Sequence, residues 1–188
     1  KESQLNIKDL TAVAVSKGPG SYTGLRIGVS VAKGLCYGLG IPLISVNSLE
    51  SLGIYTAFNY TQFSGIKPES KPLFCPMIDA RRMEVYTALY NENGEEIKPI
   101  SAEIITGDFL QKELEKHPVL FLGNGAAKCK NLLTNPNAIF AGPEATSAVF
   151  MQQLSEKKFQ LQQFEDVAYF EPFYLKNFVA TIPKNKVF

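Results

Sequence analysis

The sequence predicts an α/β fold made of two related halves. A β-branched run at 11–15 feeds straight into a glycine loop and a helical stretch, and a second apolar run restarts after Pro42. Beyond a polar, turn-rich stretch at 59–72, an alternating hairpin is followed by helix, strand and helix.

Taken in order, Thr-Ala-Val-Ala-Val at 11–15 reads as a buried strand of a parallel sheet. Residues 23–39 turn helical, and 43–46 form the next strand, which completes one βαβ unit. The stretch at 59–72 divides the chain into a first lobe, 1–59, and a second, 60–188. Residues 74–78 read as a strand. Residues 84–90 alternate, with Met83, Val85, Thr87 and Leu89 on one face, and the Asn-Glu-Asn-Gly tip at 91–94 returns the chain through Ile97 and Ile100. Asp108 and Gln111 have the spacing of a capping box for a helix running to Lys116. Residues 119–122 are a strand, and Gly123-Asn124-Gly125 opens a second strand-to-helix turn. Thr146 or Ser147 caps a last helix carrying Val149, Phe150 and Leu154. From 167 onward the chain is aromatic, then basic, with no clear period.

Composition narrows the function classes. The 188 residues are 45% hydrophobic and 20% charged, close to globular averages, and 19 basic against 18 acidic residues leave a net charge of +1, which argues against a strongly basic nucleic-acid surface. Cys36, Cys75 and Cys129 lie far apart without CxxC spacing, so neither a disulfide framework nor a thiolate metal site is expected, and reducing cytoplasm is the easier compartment. No apolar run reaches membrane-spanning length and no signal peptide is visible. The chain opens on Lys1-Glu2-Ser3-Gln4 rather than Met, so a preceding segment is expected.

The string GPGSYTGLRIG at 18–28 is the most informative. Gly18 and Gly20 permit a sharp turn, and Ser21 precedes free helix-start amides that favour an anion. The Gly-Lys-Ser/Thr ending of a P-loop is absent, and Thr23 stands where a dinucleotide fingerprint needs its third glycine. A structural turn and a phosphate contact both remain open for Gly18, Gly20, Ser21, Gly123 and Gly125. The helix that follows carries two apolar stripes. Leu25, Val29, Ala32, Cys36 and Leu39 form one; Ile27, Val31, Leu35 and Gly38 form the other, with Gly34 alongside and Arg26, Ser30, Lys33 and Tyr37 as a polar edge. Such a helix is either buried on all sides or packed against another subunit. Asp79 with Arg81 and Arg82 reads as an ion pair, a ligand clamp or a partner contact. His117, the single histidine, precedes Pro118 at a helix end, which suits the helix dipole.

The string at 18–28, its continuation Val-Asn-Ser-Leu-Glu-Ser-Leu at 46–52, Ile-Asp-Ala-Arg-Arg-Met-Glu-Val-Tyr at 78–86, the turn at 123–125 and Glu-Pro-Phe-Tyr-Leu-Lys at 171–176 together resemble the TsaB (YeaZ-like) family of tRNA threonylcarbamoyladenosine biosynthesis. That family belongs to the ASKHA group with actin and Hsp70, older naming calls it glycoprotease-like, and the resemblance covers nearly the whole chain. It implies a two-lobe ASKHA fold whose first lobe lacks its N-terminal hairpin here. It also implies a noncatalytic scaffold for a TsaD-type paralogue, which transfers the threonylcarbamoyl group to N6 of adenosine 37 in tRNAs reading ANN codons. A TsaE-type ATPase belongs to such a complex, tRNA is met only through it, and a homodimer is the alternative assembly. The paralogue's metal is held by His-x-x-x-His, whose counterparts here are Ser48 and Leu52, and neither suits a metal. Where the paralogue has Ser-Gly-Gly-His-Thr, this chain has Asp79-Ala80-Arg81-Arg82, whose bulk obstructs a phosphate. The expectation is therefore no catalytic residue, no metal and no cofactor, with ATP or ADP held weakly at a subunit junction. The partner face is assigned to Ile27, Val31, Gly34, Leu35 and Gly38. The rival class is an enzyme. As an ASKHA nucleotide hydrolase it would use the two glycine turns; as a peptidase it lacks a nucleophile, base and orienter set. Direct tRNA contact has only Lys176, Lys184 and Lys186 in its favour.

Overall fold

The computed structural model describes residues 6–176. Strand β1 (Val13–Gly18) leads through a tight loop into helix α1 (Tyr22–Leu39), which returns the chain to β2 (Leu43–Asn47), parallel to β1. Ser21 caps α1 by accepting from the Gly24 amide, and Gly40 ends it in the left-handed conformation. Helix α2 (Ser48–Asn59) follows without a break, its first amides received by the Asn47 side chain.

The second sheet has five strands in the order β5-β4-β3-β6-β7. Strands β3 (Leu73–Asp79), β4 (Glu84–Tyr90) and β5 (Glu96–Ile104) form an antiparallel meander, and β6 (Val119–Leu122) and β7 (Ala138–Phe140) add parallel to β3. Both faces of this sheet are covered. On one lie Cys75, Met77, Val85, Leu89 and Phe121, under Leu110, Leu114, Cys129 and Leu133. On the other, Leu52, Ala57 and Tyr60 cover Phe74, Ala88, Tyr90, Leu120 and Leu122. Helix α2 thus packs on the five-stranded sheet while continuing from β2. A third cluster joins Ala32, Cys36 and Leu43 to Val167 and Phe170 from the end of the chain.

The α/β two-lobe expectation holds; several local ones do not. Strand β1 starts at Val13 rather than at 11 and is half-buried instead of buried, because among the described residues only β2 flanks it. The capping box at Asp108 does not form: its carboxylate accepts from the Thr106 hydroxyl, Leu110 is left-handed at φ 55°, and helix α3 (Gln111–Leu114) is a single turn. The turn at 123–125 opens only a 3₁₀ turn, Ala127–Cys129. Ser147 does cap the last helical segment, but a 3₁₀ turn, Ala148–Met151, precedes helix α4 (Gln152–Gln160), and the changed period leaves Val149 exposed. Phe150 instead stacks on Tyr55 of α2, ring centroids 4.2 Å apart. Among the described residues no helix is long and apolar enough to cross a membrane.

Candidate functional site

Two features stand out: a cleft where the first sheet meets the second, and the outer face of α1. The cleft begins as a cavity of about 370 Å³ whose polar lining comes from Ser16, Ser21, Ser48, Asn124 and Thr146, with Gly20 at its edge. It widens to about 650 Å³ between the 18–21 loop, Asp79, Arg81 and Tyr86, and residues 173–176.

The glycines of the two turns divide by geometry. A Cβ on Gly18, at φ 109°, would lie 2.8 Å from the Phe173 carbonyl oxygen; one on Gly123, at φ 90°, 2.3 Å from that of Met77. At Gly125 it would come within 3.0 Å of the Asp79 nitrogen. These three are glycine because neighbouring chain lies against them. Gly20 alone borders open space, its nearest neighbour being Leu25 at 4.0 Å. The polar group of the second turn is Asn124, whose Oδ1 accepts the Asp79 amide at 2.9 Å.

Asp79 closes an ion pair with Lys128, not with the arginines beside it. The Lys128 ammonium also donates to the Glu84 carbonyl at 2.7 Å, and its hydrogen bond to Asp79 holds that carboxyl below the usual aspartate range. Arg81 and Arg82 take left-handed conformations, φ 73° and 48°, and are exposed; among the described residues neither forms an ion pair. Lys128 carried no sequence signal, because its value depends on a fold contact 49 residues away.

The positions matching the paralogue's metal ligands do not fit a metal. Leu52 has 0% exposure and belongs to the core under the second sheet, and the Ser48 hydroxyl pairs with that of Ser16 at 2.6 Å. Nor do the peptidase ingredients meet. His117 lies beside the Lys71 carbonyl, before the first residue of β3, whereas the cleft is at the Asp79 end of that strand. Seven residues at ~3.3 Å each separate them by about 20 Å. Burial raises all three thiols, Cys75 to about 12, so none is a ready nucleophile at neutral pH. What the cleft offers is hydroxyls, amides, a paired carboxylate and the Arg81 guanidinium: groups for binding.

On α1, the first stripe is the one that packs inward, with Val29, Ala32 and Cys36 buried. The second faces solvent. Ile27 is 61% and Val31 58% exposed, Gly34 and Gly38 are exposed, and Leu35 is half-buried between them. That excludes a helix buried on all sides. Tyr37, read in sequence as part of the polar edge, is 86% exposed and enlarges the apolar area. One turn earlier on that same edge Lys33 donates to the carbonyls of Ala168 and Phe170, at 3.0 Å each. Of the terminal lysines, Lys176 pairs with Glu84, and Lys184 and Lys186 lie outside the described residues.

Comparison with known proteins agrees with this geometry. The chain is 43% identical over 130 residues to the tRNA threonylcarbamoyladenosine biosynthesis protein TsaB of Bacillus subtilis, covering 67% of this chain and 52% of the relative. It is 26% identical over 187 residues to the protein of that name from Haemophilus influenzae, covering 95% and 75%. It thus spans about half and three quarters of those relatives' lengths. In fold it matches a crystal structure of an uncharacterized Pseudomonas aeruginosa protein with similarity to peptidase YeaZ, at TM-score 0.72 and 22% identity, over 93% of this chain and 78% of that one. With the family profile TsaD, tRNA N6-adenosine threonylcarbamoyltransferase, matching residues 1–184, the chain belongs to that family, and its relatives group it with the TsaB proteins.

Proposed function

We propose that this chain is a noncatalytic partner subunit in the formation of N6-threonylcarbamoyladenosine at position 37 of tRNAs reading ANN codons, bound to a TsaD-type paralogue through the outer face of α1. The observation that carries the reading is that face. A helix already anchored by one apolar stripe exposes a second, with Ile27 and Val31 each more than half accessible and Gly34 and Gly38 allowing a second helix to approach closely. The apolar side chain of Leu52, packed into the core where the cleft begins, supports a partner rather than a catalyst. On this reading the chain works in the cytoplasm, needs no cofactor of its own, binds ATP or ADP weakly at a subunit junction if at all, and meets tRNA and a TsaE-type ATPase only within the complex. Without the paralogue the same face pairs two copies.

Copurification with the paralogue, followed by a tRNA modification assay with each subunit omitted, tests the proposal. Val31→Arg and Leu35→Arg should abolish complex formation and modification while the thermal transition of the isolated chain is kept. Full binding by both variants would overturn the interface.

A further inference from the structure

We propose that residues 165–176 form a strap that closes over the cleft between the two sheets and is latched across it by Lys176 and Glu84. This goes beyond the partner role and is tested without the partner. The strap starts on the first sheet, where the Glu165 amide donates to the Leu43 carbonyl at 2.9 Å. It then runs beside α1, where Lys33 donates to the Ala168 and Phe170 carbonyls and where Val167 and Phe170 pack on the Ala32–Cys36–Leu43 cluster. It crosses the glycine loop, with the Phe173 amide on the Lys17 carbonyl at 2.7 Å and its own carbonyl above Gly18. The Tyr174 ring lies 5.1 Å from that of Tyr22. Phe173, Tyr174 and Lys176 then line the cleft opposite Asp79 and Arg81, and Lys176 ends on Glu84 of β4, in the other sheet.

The fastenings differ in kind. At the first sheet they are backbone hydrogen bonds and apolar packing; at the second, among the described residues, there is one ion pair, with 46% of the Lys176 side chain and 20% of the Glu84 side chain exposed. An exposed pair of this sort is weak and screened by salt. The strap therefore releases from the far side first, swinging about its anchored end and uncovering the cleft.

The test uses a reporter thiol in the 188-residue chain. Ile78 lines the cleft together with Phe173 to Lys176 and is 9% exposed, so Ile78→Cys reacts with a thiol reagent only when the cleft opens. Cys75 and Cys129, 0–1% exposed in the core of the second sheet, report global unfolding in the same sample. Glu84→Gln should speed labelling at position 78 about threefold, with Cys75 and Cys129 unchanged, and Lys33→Met, which loosens the anchored end, should do likewise. Salt at 1 M should accelerate the parent and leave Glu84→Gln unaffected. An unchanged rate at position 78 in both variants, or acceleration only in step with Cys75 and Cys129, would overturn the latch.

Discussion

Replacing Gly123 by alanine separates a glycine kept for packing from one kept for a ligand. Its φ of 90° is one that an L residue enters at a cost of about 1–2 kcal/mol. The added Cβ would lie 2.3 Å from the Met77 carbonyl oxygen and 3.1 Å from Leu52 Cδ2. The carbonyl belongs to the central strand β3, whose Met77 oxygen also receives the Gly125 amide, so it cannot retreat without disturbing that bond. Overpacking of this kind costs about 1–3 kcal/mol, and with the φ penalty the sum is about 2–5 kcal/mol. At about 3 kcal/mol, a chain of this size loses about 6–12 °C in Tm. Gly20→Ala is the matched control: no atom lies closer than 4.0 Å and φ is not left-handed, so thermal unfolding followed by circular dichroism should move by less than about 1 kcal/mol, toward greater stability. If Gly123→Ala melted within 2 °C of the parent, or if Gly20→Ala fell as far as Gly123→Ala, the division of these glycines by their surroundings would be refuted.

Two further outcomes follow from the same contacts. Leu52→Ala, at a position fully buried among Phe74, Leu120 and Leu122, should lower stability by about 2–5 kcal/mol in urea with the slope unchanged, and a loss under 1 kcal/mol would remove Leu52 from the core. The Asp79 carboxyl is held low chiefly by its hydrogen bond from Lys128, so its stabilising contribution is present above the ordinary aspartate value of about 3.9 and lost as pH falls through the lowered folded value. Asp79→Asn should flatten the acid limb of the stability profile below about pH 4; parallel limbs for parent and variant would count against the Lys128 pair.

Where local pattern and tertiary packing agreed, the sequence was readable. The 3.6-residue period of α1 marked both stripes, and the structure buries one and exposes the other, because helix periodicity is a property of the segment itself. Strands β3 and β6 were visible as apolar runs and β4 by its alternation. Helix α2 was not marked as a helix, since its mixture of Ser, Leu, Gly and Thr is apolar on nearly every side; it packs against β3 and β4 while following β2, and so shows no amphipathic period. The segment at 165–176 has no period at all. It is held by carbonyl contacts to Lys33 and Lys17 that no local pattern encodes. In the cleft, sequence proximity pointed to the arginines as partners of Asp79, whereas the fold brings Lys128 from the far side of the 123–125 turn and leaves Arg81 lining the cleft without an ion pair among the described residues.

The change at position 52 bears on more than a lost ligand. In a helix whose one side must seal a sheet, a residue at 0% exposure contributes by filling volume, and a polar imidazole there would need a hydrogen-bond partner that Phe74, Leu120 and Leu122 cannot supply. Ser48, one turn earlier, has its hydroxyl committed to Ser16 on β1 and so ties α2 back to the first sheet. The two positions now join the lobes: one glues α2 to the second sheet, the other to the first. Both positions also line the inner cavity, beside Ser16 and Asn124, so histidines at 48 and 52 would meet polar neighbours there but would give up the Ser16 bond and the Leu52 packing, loosening the layer of α2 that holds the two sheets together.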